Sequence, residues 1–192
     1  MVSIGILIFP DVEELDFVGP FEVLSYANKV IPESTRVMLV AETPEPVRAF
    51  NGLRVIPDVT IADCPPLDVL IIPGGFGRRA AMKNEVLLNF IKDRQATLRF
   101  TTSVCTGSFL LAEAGLLKGK KATTYHSFFA ELESYGIQVV TAKVVREGSI
   151  ITAGGVSSGL ELGFYLLREM FDAALAQKAA DLIEYNIDVT TI

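Results

Sequence analysis

Histidine and cysteine are scarce in this sequence and tryptophan is absent: its 192 residues include one histidine and two cysteines. Two cysteines are too few for a disulfide framework. One histidine and two separated cysteines also form no credible metal-binding set, so we expect no metal site. Any mechanism that pairs a cysteine with a histidine would have to use His126.

Basic residues and long apolar runs are scarce as well. Lys and Arg number 17 against 23 Asp and Glu, and no basic cluster is dense enough to follow a phosphate backbone. No apolar run reaches the roughly 18 residues that cross a bilayer. The apolar start lacks the basic leader and cleavage site of a signal peptide and predicts a first strand. We therefore expect no nucleic-acid or membrane partner and a cytoplasmic, reducing location.

Apolar residues, in contrast, make up half of the chain. Short runs rich in β-branched residues alternate with stretches of helical periodicity, which is typical of βαβ units around a largely parallel sheet. We predict an α/β fold in a single domain over residues 1–192. Residues 47–56 turn at Asn51-Gly52 and predict a small β-hairpin outside the main sheet.

Two helical segments carry specific expectations. Gly19 and Pro20 interrupt the first helix, so we expect Asp16 to lie in a distorted first turn. The apolar stripe from Leu160 to Leu175 predicts one long last helix.

Cys105 is the main candidate for chemistry. It follows a buried strand and precedes a helix, with the small residues Gly107 and Ser108 after it, which is the arrangement of a nucleophile elbow. At the carboxyl end of a parallel strand, its sulfur would face the crevice where α/β sheets bind ligands. The N-terminus of the following helix would favour the thiolate at neutral pH. The alternative is a buried, inert cysteine, which is our interpretation of Cys64.

Glycine loops follow two other strands. Gly74 and Gly75, together with the amide of Thr106, either donate N–H groups to a developing negative charge or only turn the chain. Gly154 and Gly155 have the same two interpretations, with Val156 beside them as a further candidate for the substrate or oxyanion site, and both loops would meet at one edge of the sheet. Neither loop contains the lysine of a phosphate-binding loop, so nucleotide binding is weakly supported.

Three further side chains are candidates for the site. An acid at position 16 either faces solvent at a helix start or faces the cysteine. In the second case, burial and the thiolate charge would raise the pKa of Asp16 and make it a proton donor to sulfur. Tyr125 and His126 are candidates for lining the substrate site, although a lone histidine is more often structural than catalytic.

Five motifs resemble the ThiJ/PfpI superfamily over essentially the whole chain. They are Leu15 to Pro20, Asp63 to Asp68, Ile72 to Gly75, Ser103 to Ser108 and Thr152 to Gly155. The Cys-Thr-Gly-Ser elbow is most similar to the isocyanide hydratase branch. The resemblance implies a flavodoxin-like sandwich of the class I glutamine amidotransferase-like type, with helices on both faces. It also implies a homodimer with a reactive cysteine and no metal or organic cofactor.

The resemblance assigns Cys105 as nucleophile, Asp16 as the carboxylic acid beside its sulfur, Thr106 as a neighbouring polar group and Gly75 as an amide donor. The implied enzyme is a lyase that adds water to an isocyanide, a small-molecule electrophile, and gives an N-formamide through a Cys105 thioimidate. Asp16 would act as both acid and base. Two alternatives stay open: a glyoxalase or deglycase that acts on reactive aldehydes, and a non-catalytic redox-sensing stress protein.

Two departures from the family pattern affect these expectations. Peptidase-like members have a histidine directly after the cysteine, and Thr106 in that place argues against proteolysis. Hydratases and many relatives have histidine directly after a Thr-Thr pair, whereas here Tyr125 follows and His126 comes one residue later. Related transcription regulators append a helix-turn-helix domain. This chain ends near Ile192, so we expect no DNA-binding role.

Overall fold

The computed structural model describes residues 1–192. The strands are β1 (Val2–Leu7), β2 (Thr35–Ala41), β3 (Val47–Arg48), β4 (Arg54–Val55), β5 (Val59–Thr60), β6 (Val69–Ile72), β7 (Phe100–Val104), β8 (Lys121–Ala122), β9 (Gln138–Val139), β10 (Val144–Glu147) and β11 (Ile150–Ala153). The helices are α1 (Glu14–Val30), α2 (Arg78–Ala81), α3 (Glu85–Gln95), α4 (Ser108–Glu113), α5 (Phe129–Glu133), α6 (Ser158–Met170) and α7 (Ala173–Leu182).

The central sheet has seven strands in the order β10-β11-β7-β6-β1-β2-β5. Only the pairing of β10 with β11 is antiparallel. Strands β6, β7 and β11 are buried along their whole length, as strands covered by helices on both faces must be. The predicted flavodoxin-like α/β sandwich is confirmed. Because β6, β7 and β11 are parallel neighbours, the loops that follow them meet at one edge of the sheet.

Residues 47–56 lie outside this sheet. Strands β3 and β4 pair antiparallel, and Gly52 adopts φ +105° in the turn, as the Asn-Gly signal requires. The predicted hairpin excursion is confirmed. The side chain of Asn51 and its backbone N–H donate hydrogen bonds of 2.7 Å to the carboxylate of Glu14, so the hairpin tip is fixed to the start of α1.

A continuous core connects the sheet with its helices. Fifty buried hydrophobic residues form one cluster, and α1, α6 and α7 pack on one another. No helix combines the length and apolar character that a bilayer span requires.

Two helical predictions are wrong. The single last helix is two helices, α6 and α7, because Phe171 leaves the helical region with φ −122° and ψ −96°, and the Asp172 side chain caps α7 by accepting the N–H of Leu175. The first helix, in turn, is continuous from Glu14 to Val30 and contains Pro20. Asp16 therefore lies in a regular first turn.

Candidate active site

The turn between β7 and α4 has the shape of a nucleophile elbow. Cys105 adopts φ +56°, a left-handed conformation that non-glycine residues avoid and that is concentrated at functional sites. Its backbone N–H donates to the carbonyl of Gly154 at 2.8 Å. The Thr124 hydroxyl donates to its carbonyl at 2.9 Å. These bonds fix the elbow to the neighbouring loops.

Two glycines let the loop after β6 lie directly against the elbow. A Cβ atom on Gly107 would overlap the carbonyl oxygen of Ile72. One on Gly74 would lie 2.5 Å from both the amide nitrogen and the hydroxyl oxygen of Thr106. Larger residues would force the loop and the elbow apart, so the glycines are needed for this close approach.

Asp16 reaches the elbow from α1 and is completely buried. Its Oδ2 atom accepts the N–H of Gly74 at 2.8 Å, whereas Oδ1 is buried without a hydrogen-bond partner. The carboxyl group lies close enough to Cys105 for each group to shift the pKa of the other. The structure thus brings together the predicted sulfur and acid.

Burial dominates the acid–base properties of this pair. It raises the pKa of Asp16 from an ordinary 3.8 to about 8, while the Gly74 N–H acts in the opposite direction. Asp16 therefore keeps its proton at neutral pH. A buried carboxyl that is neutral at pH 7 can donate a proton to its neighbour.

The cysteine is shifted in the same direction. Burial raises the pKa of the Cys105 thiol to about 12, and a charged Asp16 adds to the increase. The N–H groups of Val156 and Thr106 and the Thr106 hydroxyl act in the opposite direction. Desolvation therefore opposes the predicted thiolate at this sulfur, whereas the neighbouring amides and the Thr106 hydroxyl favour it.

The amides of Gly74 and Gly75, candidate donors to a developing negative charge, bind protein groups instead. The N–H of Gly74 binds the Asp16 carboxyl, and that of Gly75 donates to the Thr106 hydroxyl oxygen at 3.1 Å. Neither is free to form an oxyanion hole, so they position the acid and the elbow instead. The amides of Thr106 and Val156 are the ones aimed at the sulfur. Val156 adopts a strained φ of +23°.

Cys105 opens into a cavity of about 360 Å³. Its wall consists of Glu13, Phe50, Gly75, Phe76, Arg78, Arg79, Cys105, Thr106, Tyr125, Phe128 and Val156. Asp16 is completely buried and is not part of this wall.

Residues 2–169 match the DJ-1/PfpI family. The chain belongs to this family. It is 40% identical over 184 residues to the isonitrile hydratase of Pseudomonas putida, across 96% of this chain and 78% of that protein. A solved ThiJ/PfpI family protein from Pseudomonas syringae superposes with a TM-score of 0.90 and 36% identity, across 97% of this chain and 76% of that one. Drosophila melanogaster DJ-1beta, 22% identical, shares the fold with a TM-score of 0.86 over 97% of this chain and 99% of its own.

Tyr125 and His126, the two candidates for lining the substrate site, differ in position. The Tyr125 ring packs on Gly155, which leaves no room there for a Cβ atom, and it lines the Cys105 cavity. His126 is exposed, contacts the edge of Tyr125 at 4.5 Å between ring centroids, and lines a separate cavity of about 600 Å³. The structure therefore does not pair Cys105 with the histidine.

Arg78 and Glu13 are cavity residues that sequence reasoning missed. Arg78 is buried, lies between the rings of Phe109 and Phe128 at 4.0 and 4.7 Å from their centroids, and donates two hydrogen bonds of 2.9 Å to Glu131. Its position directly after the glycine loop was a usable signal. Glu13, at the cap of α1, gave none. Cys64 lies outside the cavity, and no group of three acidic, histidine or cysteine side chains is arranged as a metal site.

Proposed function

We propose that this protein is a hydro-lyase that hydrates isocyanides to N-formamides. The observation that supports this most strongly is the completely buried carboxyl of Asp16 beside the buried thiol of Cys105. The terminal carbon of an isocyanide has to receive both a nucleophile and a proton, and this pair offers both at one place. The similarity to an isonitrile hydratase over 96% of the chain favours the same activity.

The first half of the proposed reaction forms a thioimidate. The sulfur electron pair of Cys105 bonds to the terminal isocyanide carbon, and that carbon takes a proton from Asp16. The thiol proton passes to Asp16, so the carboxyl group ends as it began. The product, R–N=CH–S–Cys, contains all atoms of the thiol and the isocyanide. The amides of Thr106 and Val156 stabilise negative charge on the sulfur while it forms.

The second half releases the product. Water adds to the thioimidate carbon, the nitrogen takes a proton, and the C–S bond breaks as the formamide carbonyl forms. The sulfur leaves with a proton and restores the thiol. Neither half needs a redox partner.

The cavity favours an aromatic isocyanide. The rings of Phe50, Phe76, Tyr125 and Phe128 line it, and Phe50 stacks on Phe76 with 5.9 Å between ring centroids. Ring–ring contacts of this kind contribute about 0.5–1.5 kcal/mol beyond the buried area. A phenyl group would occupy this aromatic wall while the isocyanide carbon reaches the sulfur.

Turnover of phenyl isocyanide, measured by release of N-phenylformamide, tests the proposal. We expect the wild-type protein to hydrate it and Cys105→Ala to lose at least about 10³-fold in rate, because the nucleophile is removed. Cys64→Ala is the matched control and should keep the wild-type rate. If the protein consumes methylglyoxal in a Cys105-dependent reaction but does not hydrate phenyl isocyanide, the proposed hydratase is wrong and the protein is a glyoxalase. Oxidation of Cys105 by mild peroxide without turnover of either compound would indicate a redox sensor.

We also infer that the chain acts as a homodimer in the cytoplasm, where its two free cysteines would stay reduced. Exposed apolar side chains on α1 and on the hairpin support self-association. They include Leu15 and Val18, 37% and 40% exposed, and Phe50 and Leu53, both 47% exposed. The hydrogen bonds between Asn51 and Glu14 make these two elements one surface.

A further inference from the structure

The two carboxyl groups near Cys105 differ in their access to solvent. Asp16 is completely buried and does not line the cavity, whereas Glu13 is part of the cavity wall and is partly exposed. A water molecule that attacks a thioimidate on Cys105 has to approach from the cavity, because Cys105 lines this cavity and is otherwise buried. Glu13 is the only carboxylate in the wall that this water meets.

The backbone of Glu13 is fixed relative to the elbow. Its N–H donates to the carbonyl of Gly74 at 3.1 Å, and Gly75, at φ +117°, lies so close that a Cβ atom there would overlap the Glu13 amide. Gly75 in turn donates to the Thr106 hydroxyl. Two hydrogen bonds, from Glu13 to Gly74 and from Gly75 to Thr106, thus connect Glu13 to the residue after Cys105. This fixed backbone gives a stable position to a group that acts on the substrate.

The carboxylate of Glu13 has free capacity for a water molecule. Its Oε1 atom accepts a long hydrogen bond of 3.4 Å from Asn51, and Oε2 accepts none from the protein. Burial and the neighbouring charge of Glu14 raise the pKa of Glu13. A carboxylate with a raised pKa is a stronger base while it is ionised.

We propose that Glu13 is the general base of the second half-reaction, in which it activates the water that hydrolyses the Cys105 thioimidate. This inference rests on the proposed hydratase function. The Glu13 carboxylate takes one proton from water, and the oxygen bonds to the thioimidate carbon as the C=N electron pair moves to nitrogen. The nitrogen takes the proton back from Glu13. As the C–S bond breaks, the remaining hydroxyl proton goes through solvent to the sulfur, and formamide and thiol result. Asp16 is then confined to the first half, which differs from the dual role that the family resemblance implies.

The two halves separate in a rapid-quench experiment with phenyl isocyanide, followed by intact-protein mass spectrometry. In Glu13→Gln we expect the Cys105 adduct to form at the wild-type rate and to accumulate, while release of N-phenylformamide falls at least about 10²-fold. In Asp16→Asn we expect slow adduct formation and no accumulation. Glu22→Gln is the matched control, because Glu22 is an exposed carboxylate on α1 that lies outside the cavity wall; it should release product at the wild-type rate.

Glu13→Asp distinguishes a chemical role from a structural one. The shorter carboxylate of Glu13→Asp should recover part of the product-release rate that is lost in Glu13→Gln. A merely structural role predicts the opposite order, because glutamine keeps the size of the side chain and aspartate does not. Product release by Glu13→Gln at the wild-type rate, or a folded Glu13→Gln protein that forms no adduct, overturns the inference. If instead the wild-type protein forms neither adduct nor formamide, the proposed function itself is overturned.

Discussion

At the scale of single residues, the protonation of Asp16 couples the site to the stability of the protein. Its pKa is about 8 in the folded protein against an ordinary 3.8, so the folded state binds this proton more tightly than the unfolded state. The contribution to stability is complete below pH 4 and is lost as the pH rises to 8. The loss has a limiting slope of about 1.4 kcal/mol per pH unit.

Urea unfolding of the wild type and Asp16→Asn at several pH values between 4 and 8 measures this coupling. We expect the free energy of unfolding of the wild type to fall with rising pH relative to that of the variant, because asparagine has no proton to lose. The exposed α1 residue Glu22 provides the control, and Glu22→Gln should follow the wild type. Parallel curves for the wild type and Asp16→Asn would show that the carboxyl group is not desolvated in solution.

The same residues show how far single positions are predictable from sequence. Cys105 is identifiable because a strand, a cysteine and small residues in order define the local geometry of an elbow. The pKa of its thiol cannot be predicted from the sequence, because the desolvation of the sulfur depends on side chains such as Asp16 that come from distant parts of the chain. Glu13 was missed for the same reason: only the folded contact with Gly74 places it beside the elbow.

At the scale of elements, α1 and α6 cross at glycines with different amounts of space. A Cβ atom on Gly163 would lie 2.8 Å from Cβ of Val23, whereas one on Gly19 would lie 3.6 Å from the Leu160 side chain. Gly163→Ala should therefore lower the free energy of unfolding by about 1–3 kcal/mol through overpacking.

Gly19→Ala is the matched control and should be neutral or stabilising, because alanine is favoured over glycine inside a helix by up to about 1 kcal/mol. Denaturant unfolding of both variants measures the difference. Equal stability of the two variants would contradict the close crossing.

The elements also differ in how well the sequence predicts them. The buried strands β6 and β11 are evident from short runs of mostly apolar, β-branched residues. The break between α6 and α7 was missed because the apolar stripe continues across it. Asp172 is a capping residue at the start of α7. In the sequence, however, one polar residue is weaker evidence for a helix boundary than an apolar stripe that continues past it. Tertiary packing of two helices decides the geometry there.

At the scale of the whole molecule, the cavity is assembled from segments that the sequence keeps far apart. Glu13, Phe50, Arg78, Cys105 and Val156 belong to five different loops or helix ends. The parallel sheet explains why the loops after β6, β7 and β11 meet, and this much was predictable. The contribution of the hairpin to the cavity was not predictable, because the contact that fixes its tip to α1 joins residues that are distant in sequence, Asn51 and Glu14.

The exposed surface of α1 and the hairpin leads to a prediction about assembly. A two-fold interface uses the same patch on both copies, so one charge introduced there is buried twice and should dissociate the dimer. We expect the wild type to sediment as a dimer at micromolar concentration and Leu53→Glu as a monomer. Val86 is equally exposed, at 47%, but lies on α3. Val86→Glu should therefore remain dimeric. A monomeric wild type, or dissociation by both substitutions alike, would contradict an interface at this surface.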